Sequence, residues 1–221
     1  MTKESANRAE QGLFVTMEGI DGSGKSTQLG MLAENLRSRG LDICETREPG
    51  GTEIGECLRE IILHNAQSVC DNAELLLLFA ARAQHIAQVI QPALQEGRWV
   101  LCDRFTDATF AYQGGGRGIQ LSIIERLESM VQGDFRPDCT LLLDVPAETS
   151  AERTCGRGNS HDRIEMLDLV FKQRVRQTYL DRQLVEPTRI FLIDGLASIA
   201  SVQEEICRIV NDLDSRLPDD G

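Results

Sequence analysis

Residues 19–26 read G-I-D-G-S-G-K-S, which matches the phosphate-binding pattern G-x-x-x-x-G-K-[ST]. Glycines in such a loop let the backbone wrap closely around a phosphate, so that successive N–H groups point inward. The Lys25 ammonium would then reach the β- and γ-phosphate oxygens of a nucleotide, and the Ser26 hydroxyl would bind Mg²⁺. The pattern therefore predicts a nucleoside triphosphate site with Mg²⁺. Its predicted binding residues are Gly19, Ile20, Asp21, Gly22, Ser23, Gly24, Lys25, Ser26 and Thr27.

A second pair of charged residues, Asp103 and Arg104, directly follows the apolar run at 99–102. The Asp103 carboxylate suits the Mg²⁺ shell beside Ser26, and the Arg104 guanidinium suits a second phosphate. Two anion sites beside one phosphate loop favour a kinase whose acceptor is itself a phosphate. The alternative for Asp103 and Arg104 is a local surface ion pair. For Asp144, which also ends an apolar run, we favour a structural role at a strand end or a helix cap.

Short apolar runs and longer amphipathic segments must position these residues. The apolar runs have the length and composition of buried parallel strands; they are Leu13 to Met17, Leu41 to Cys44, Trp99 to Cys102, Thr140 to Val145 and Ile190 to Ile193. The segments with helical spacing are the one that follows Lys25, Asp71 to Gln95, Ile123 to Met130, Leu167 to Leu180 and Val202 to Leu213. This alternation predicts βαβ units and a parallel sheet, with ligands at the carboxyl ends of the strands. The glycines at 114–116 are interpreted as a flexible loop.

Composition narrows the class of protein. The chain has 221 residues, enough for one compact domain, and a net charge of −12, which argues against a nucleic-acid partner. No apolar run approaches the roughly 20 residues that cross a bilayer, so no membrane partner is expected. Residues 1–11 lack the apolar core of a signal peptide, which makes the cytoplasm the default location. Seven widely spaced cysteines without a C-x-x-C pair indicate reduced thiols.

Six ordered segments give the sequence a specific resemblance. They are the phosphate loop with its Asp21, R-E-P-G-G-T at 47–52, L-F-A-A-R at 78–82, D-R-F at 103–105, A-Y-Q-G-G at 111–115 and D-R-I-E at 162–165. Over roughly residues 13–213 the chain resembles the thymidylate kinases. The resemblance implies a three-layer α/β P-loop fold with a five-stranded parallel sheet and a short lid. It also implies ATP and Mg²⁺ as cofactors, phosphorylation of dTMP to dTDP as a step in dTTP synthesis, and a homodimer.

On this resemblance the chain divides into a flexible extension at 1–11, a kinase domain at 12–215 that contains the lid at about 152–163, and a tail at 216–221. Phe79 would stack on the thymine ring, although a core phenylalanine is the alternative, and Arg82 would hydrogen-bond the base edge. Asp21 would meet the sugar 3′-hydroxyl, and Tyr112 would crowd the 2′ position and favour deoxyribose. The implied dTMP-binding residues are Asp21, Arg47, Pro49, Phe79, Arg82, Arg104, Thr109, Tyr112 and Gln113.

Positive charge at the phosphates has two implied sources. Arg104 and Arg47 would hold the acceptor phosphate. Some thymidylate kinases carry a catalytic arginine in the phosphate loop, directly after the acidic residue, where this chain has Gly22. The lid would then supply the arginine, as in the bacterial form, while Arg163 would pair locally. The implied catalytic residues are Lys25, Asp103, Arg104, Arg157 and Arg153, with Ser26 and Asp103 at the metal.

Two other functions stay open. A deoxynucleoside kinase shares the phosphate loop and a D-R pair, but it must help to deprotonate a neutral hydroxyl, whereas a phosphate monoester needs no strong base. A nucleotide-binding module without turnover is the other alternative. A GTPase is excluded, because the sequence has no N-K-x-D segment for guanine.

Overall fold

The computed structural model describes residues 12–64, 69–155 and 168–214. The predicted extension at 1–11 and tail at 216–221 lie outside the described residues. So does the predicted lid from residue 156 onward.

Five parallel strands form one sheet in the order β2-β3-β1-β4-β5. They are β1 Phe14–Glu18, β2 Ile43–Arg47, β3 Trp99–Asp103, β4 Cys139–Asp144 and β5 Ile190–Asp194. The central strand is β1, where Val15 is paired with Leu101 of β3 and with Cys139 of β4. Each observed strand overlaps its predicted run, so the predicted five-stranded parallel sheet is confirmed.

Helices connect the strands. The α-helices are α1 Lys25–Ser38, α2 Glu53–His64, α3 Asp71–His85, α4 Gln91–Gln95, α5 Thr106–Thr109, α6 Leu121–Gln132, α7 Ala147–Cys155, α8 Leu169–Val185 and α9 Ile199–Asp214. Two π-helical segments, Ile86–Ile90 and Phe110–Gly116, join α3 to α4 and extend α5. The sequence pattern predicted α1, α3, α6, α8 and α9, but it did not predict α2, α5 or α7.

The sheet is buried between two helical layers because successive side chains of a strand point to opposite faces. Val15 and Leu101 pack in one core cluster with residues of α1 and α9, whereas Phe14 and Val100 pack in another with Ile86–Ile90. Strands buried on both faces are continuously apolar, which is why the short runs were recognisable in the sequence. The arrangement is the predicted three-layer α/β fold.

The interpretation of residues 114–116 as a flexible loop is wrong. Gly114, Gly115 and Gly116 end the π-helical segment Phe110–Gly116. A Cβ at Gly115 would lie 1.9 Å from the hydroxyl oxygen of Thr178, and one at Gly116 would lie 2.4 Å from the ring of Phe171. Gly115 and Gly116 therefore leave room for α8, and Gly114, whose Cβ would lie 2.6 Å from Leu121, leaves room for α6.

Among the described residues, Asp71–Gln95 is the one helix that is long and apolar enough, by length and composition, to cross a membrane. In the most apolar window of this helix, 44% of the residues are buried inside the protein. Glu74, Arg82 and His85 lie on its buried side. The helix is therefore accounted for as a core helix of this fold, whose polar residues interrupt the apolar run in the sequence.

Candidate active site

A cavity of about 260 Å³ lies beside the carboxyl ends of β1, β2 and β3. It brings together most of the predicted binding residues, namely Asp21, Gly22, Gly24, Lys25, Ser26, Thr27, Arg47, Pro49, Arg82, Asp103, Arg104, Thr109, Tyr112 and Gln113. The wall also contains residues that sequence reasoning missed, which are Glu48, Arg59, Leu63, Leu78, Phe105 and Ala108. The predicted site residues that the structure describes but that do not line the cavity are Gly19, Ile20, Ser23, Phe79 and Arg153.

The phosphate loop joins β1 to α1, as its pattern predicts. Its backbone has φ of 135° at Gly19 and 78° at Gly22, in the region that favours glycine. A Cβ at Gly19 would lie 2.4 Å from the carbonyl oxygen of Leu143, and one at Gly22 would lie 2.9 Å from that of Ser150. Two glycines of the loop are thus required by the close approach of β4 and α7, in addition to any ligand.

Lys25 is buried in the first turn of α1. Its ammonium donates to the carbonyl oxygens of Gly19 and Ile20, both at 3.1 Å. Burial, followed by the charge of Arg104, lowers the pKa of Lys25 from 10.5 to about 8. An amine with that pKa is still mostly protonated at neutral pH, so the loop holds a cation at its centre.

Ser26 and Asp103 form the candidate metal site. The Ser26 hydroxyl donates to Asp103 Oδ2 at 3.3 Å, while Asp103 Oδ1 is buried and has no hydrogen-bond partner among the described residues. No group of three or more histidine, cysteine or acidic side chains that could hold a metal is found among the described residues. Hydroxyl and carboxylate oxygens are what Mg²⁺ prefers, and this ion commonly takes one or two protein ligands together with substrate phosphates and waters. The donor set therefore fits Mg²⁺.

Arg104 has a left-handed backbone, with φ of 72°, which is uncommon for any residue other than glycine. Its guanidinium donates to Asp21 Oδ1 at 2.5 Å and to the hydroxyls of Tyr112 and Tyr179, both at 3.1 Å. Tyr112 in turn donates to Asp21 Oδ2 at 3.1 Å. Burial alone would raise the pKa of Asp21, but the charges of Arg104 and Lys25 bring it below its usual value. Arg104 is therefore paired with Asp21 in the phosphate loop, so the two predicted phosphate-binding elements are joined directly.

Glu18 was not predicted, and it contacts two neighbours of the pair that Arg104 forms with Asp21, namely Phe105 and Tyr179. Its fully buried carboxyl accepts hydrogen bonds from the Phe105 backbone N–H at 2.6 Å and from the Tyr179 hydroxyl at 2.7 Å. Burial raises the pKa of Glu18 from 4.5 to about 7, against the opposing charge of Arg104. The only sequence signal was an acidic residue at the end of an otherwise apolar strand.

Arg82 lies at the other end of the cavity and is only 2% exposed. Its Nε donates to Glu48 at 2.7 Å, and its Nη2 donates to the Thr109 hydroxyl at 2.9 Å. Its Nη1 is buried and has no hydrogen-bond partner among the described residues. Arg82 also lines the cavity, so Nη1 is the guanidinium nitrogen of this residue that is left to donate to a ligand.

Phe79 is not part of the cavity wall. It is 2% exposed and packs in a core cluster with Leu75, Phe110 and Ile124. The alternative of a core phenylalanine therefore describes this side chain, although its ring lies 4.9 Å from the guanidinium carbon of Arg82. Leu78 lines the cavity instead. Spacing could not separate the two, because residues three and four apart share a helix face, and Phe79 and Leu78 precede Arg82 by three and four.

Arg47 and Pro49 close the cavity on the side of β2. Arg47 donates from Nη2 to Glu56 at 3.0 Å, and its side chain is 55% exposed. Pro49 follows a cis peptide bond from Glu48. Arg47 is therefore a guanidinium at the cavity edge with access to solvent.

The lid residues are described in part. Arg153, in α7, donates to the carbonyl oxygens of Gly22 at 3.4 Å and Gly195 at 3.2 Å, so it contacts the phosphate loop from outside the cavity wall. Arg157 and Arg163 lie outside the described residues. Asp144 is paired in a bidentate manner with Arg176, at 2.6 and 2.7 Å, which agrees with the structural role predicted for it.

Comparisons with known proteins agree with one another. A family model described as thymidylate kinase matches residues 17–206. The chain is 50% identical to the thymidylate kinase of Cupriavidus necator over 202 residues, covering 90% of this chain and 98% of the relative. It is 52% identical to that of Pseudomonas putida over 196 residues, covering 88% and 93% of the two chains. The crystal structure of thymidylate kinase from Ehrlichia chaffeensis superposes with a TM-score of 0.75 at 35% identity, covering 91% of this chain and 99% of that one. The chain belongs to the thymidylate kinase family.

Proposed function

We propose that the protein transfers the γ-phosphoryl group of ATP to dTMP and releases dTDP and ADP. One observation carries the proposal. A single cavity is lined by the phosphate loop, by Arg104, whose guanidinium suits a second phosphate, and by Arg82, whose guanidinium suits a base edge. Membership of the thymidylate kinase family identifies the acceptor as dTMP.

On the donor side, the loop from Gly19 to Thr27 holds the ATP phosphates through its backbone N–H groups, and α1 presents its positive end to them. The Lys25 ammonium leaves the carbonyls of Gly19 and Ile20 for phosphate oxygens. Ser26 and Asp103 hold Mg²⁺. When bound, Mg²⁺ neutralises charge on the phosphates and orients them.

On the acceptor side, Arg104 and Arg47 hold the phosphate of dTMP. Asp21, fixed by Arg104 and Tyr112, meets the sugar, and the Tyr112 ring limits space beside it. Arg82 and Gln113 approach the base, with Thr109 holding Arg82 and Pro49 closing the side. This placement assigns no base contact to Phe79, whose ring supports Arg82 from the core.

The transfer step is governed by alignment and charge. The dTMP phosphate is mostly dianionic at neutral pH, since its second pKa is about 6, so it needs no strong general base. The protein must instead overcome repulsion between two anions and hold them in line, and Lys25 and Arg104 supply fixed positive charge for that. Arg157, with Arg153 as the second candidate, supplies the remaining positive charge from the lid.

An ADP-release assay with MgATP and each of dTMP, dUMP, AMP, GMP, CMP and thymidine tests the proposal. We expect turnover with a strong preference for dTMP. Preference for thymidine would establish a deoxynucleoside kinase instead, and nucleotide binding without any ADP release would indicate a binding module. Omission of Mg²⁺ in the presence of EDTA should abolish turnover, and Asp103→Asn should raise the Mg²⁺ concentration needed for half-maximal rate.

Two further family properties belong to the proposal. Exposed apolar residues recur at helical spacing along Asp71–Gln95; they are Leu76, Ala80, Ala83 and Ala87. We propose that this stripe forms a homodimer, so Ala83→Glu should convert a dimer into a monomer in analytical ultracentrifugation. A cytoplasmic location is proposed because ATP and dTMP are cytoplasmic metabolites and the six cysteines that the structure describes are free thiols.

A further inference from the structure

Glu74 is a fully buried carboxylate that the proposed mechanism does not use. It lies in the first turn of α3 and is not part of the cavity wall. It accepts hydrogen bonds from Gln113 Nε2 at 2.9 Å and from Arg117 Nη2 at 3.3 Å. Burying a charge is costly, so a carboxylate kept at this position calls for a specific role.

The position of Glu74 relative to the cavity follows from two facing helical segments. Glu74, Leu78 and Arg82 occur at intervals of four residues, so they share one face of α3. Thr109 and Gln113 have the same spacing on the facing segment. Arg82 bonds Thr109 and Glu74 bonds Gln113, both at 2.9 Å. Leu78, Arg82, Thr109 and Gln113 line the cavity between these two links, while Glu74 lies behind Gln113.

The chemistry of Glu74 fixes which way the Gln113 amide points. Glu74 faces the guanidinium of Arg117, which only donates, and a carboxylate can only accept hydrogen bonds. Gln113 must therefore turn its NH₂ group toward Glu74, which leaves its carbonyl Oε1 as the other polar group of the amide. Together with Arg82 Nη1, this end of the cavity offers one donor and one acceptor.

That pair of groups discriminates between pyrimidines. Thymine and uracil present an acceptor at O4 and a donor at N3–H, which complement Arg82 Nη1 and Gln113 Oε1. Cytosine presents an amino donor at position 4 and an acceptor at N3, so it would set donor against donor and acceptor against acceptor. A site built to hydrogen-bond one pattern rejects the other strongly, because buried polar groups are then left unpaired.

We propose that Glu74 is a specificity-determining positioning residue that orients the Gln113 amide to accept N3–H of the base and thereby excludes cytidine monophosphates. This inference rests on the proposed function. The 5-methyl group plays no part in it, so Glu74 influences the choice of dTMP over dCMP but not that of dTMP over dUMP.

The variant Glu74→Gln tests this directly. The neighbouring Arg117 only donates, so the new amide turns its oxygen toward Arg117 and its NH₂ toward Gln113, which reverses the Gln113 amide. We expect the ratio of kcat/KM for dTMP to that for dCMP to fall by about tenfold to a hundredfold, mainly through KM. The ratio for dTMP to dUMP should change by less than about twofold, which a general loss of pocket structure would not produce.

Two further variants sharpen the result. Asp71→Asn is the matched control, because Asp71 also pairs with Arg117, at 3.5 Å, but does not contact Gln113; it should leave both ratios unchanged. The exchange variant Glu74→Gln with Gln113→Glu restores an acceptor toward the base, since the carboxylate introduced at position 113 would accept from the new amide through one oxygen and from N3–H through the other. It should recover preference for dTMP over dCMP.

Unchanged ratios in a folded Glu74→Gln protein would overturn the inference. If that variant does not fold, Gln113→Met, which leaves the pair of Glu74 and Arg117 in place, must lower the ratio of dTMP to dCMP, and an unchanged ratio there would be equally decisive against it. Failure of the proposed function is distinguishable, because the unmodified protein itself would then show no preference for dTMP.

Discussion

The two ends of the cavity hold their arginines in opposite ways. At the base end, Arg82 is paired with Glu48 at 2.7 Å, and the two side chains are 2% and 5% exposed. At the phosphate end, Arg47 is paired with Glu56 at 3.0 Å, and the two side chains are 55% and 43% exposed. Both are arginine–glutamate pairs, but one is sealed in the core and the other is in contact with water.

The difference in exposure between the two arginine–glutamate pairs suits one end of the cavity to base selection and the other to phosphoryl transfer. An exposed pair contributes only about 0–1 kcal/mol, so Arg47 can leave Glu56 for a phosphate at little cost. A buried pair cannot exchange partners in that way, because separating it leaves an uncompensated charge. We infer that the base end selects by a fixed hydrogen-bond pattern, whereas at the phosphate end Arg47 can change partners beside the more deeply held pair of Arg104 and Asp21.

Among the predicted substitutions, removal of the Lys25 ammonium at the phosphate end should have the largest effect on kcat. Lys25→Met removes the ammonium at the centre of the loop, and we expect kcat to fall by about 10³-fold, since the loop lysine stabilises charge that develops during transfer. The KM for dTMP should change far less, because the base end does not contact this residue. Steady-state ADP release measures both, and a thermal unfolding curve checks that the variant is folded. Loss of dTMP binding with kcat retained would contradict the separation of the two ends.

The raised pKa of Glu18, next to the pair of Arg104 and Asp21, predicts a pH dependence of stability. Its folded pKa is raised from 4.5 to about 7, so between these pH values the folded protein retains a proton that the unfolded chain has released. Its contribution to the free energy of unfolding is therefore fully present below pH 4.5 and is lost as pH rises through about 7. Relative to Glu18→Gln, the unmodified protein should lose about 3 kcal/mol of stability between pH 5 and pH 8.

Urea unfolding of both proteins across this pH range measures the difference. Lys25, whose pKa is lowered to about 8, contributes stability that grows only above that pH. The pKa values of Asp21 and of Asp107, a buried carboxylate paired with Arg182 and Arg189, are lowered, so both lose their contributions only on the acid side. All three are shared by the two proteins. Parallel pH profiles for the two proteins would contradict a raised pKa for Glu18 in the folded protein.

Much of the phosphate loop was predictable from the sequence for a physical reason. Loop glycines, Lys25, Ser26 and the residues at strand ends are tied to their positions by local backbone geometry, so short motifs identify them. The base end depends on which face of α3 meets the segment Phe110–Gly116, and that is decided by long-range packing. Hence Phe79 was assigned to the base while Leu78 lines the cavity, and Glu48 was missed as the partner of Arg82. Glu18 was missed for the same reason, because its contacts at the phosphate end come from residues far away in the chain.

Arg82→Lys should weaken substrate binding at the base end and lower the stability of the protein. Lysine keeps the charge but cannot reproduce the fork that reaches Glu48, Thr109 and the cavity at once. We expect kcat/KM for dTMP to fall by about a hundredfold, mostly through KM, and the free energy of unfolding to fall by about 2–3 kcal/mol because buried acceptors lose partners. Kinetics with dTMP and urea unfolding report the two effects. A stable variant with unchanged KM would show that this end adapts as readily as the other.

Arg47→Lys is the matched substitution at the exposed end and should have the smallest effect. A lysine there keeps a positive charge at the cavity edge, and the lost pair with Glu56 is exposed to solvent. We expect kcat/KM for dTMP to fall by less than about fivefold and stability to change by less than about 0.5 kcal/mol. The same chemical change would then differ by an order of magnitude between two arginines of one cavity. If Arg47→Lys were as damaging as Arg82→Lys, arginine geometry rather than burial would determine the cost, and the contrast between the two ends would not hold.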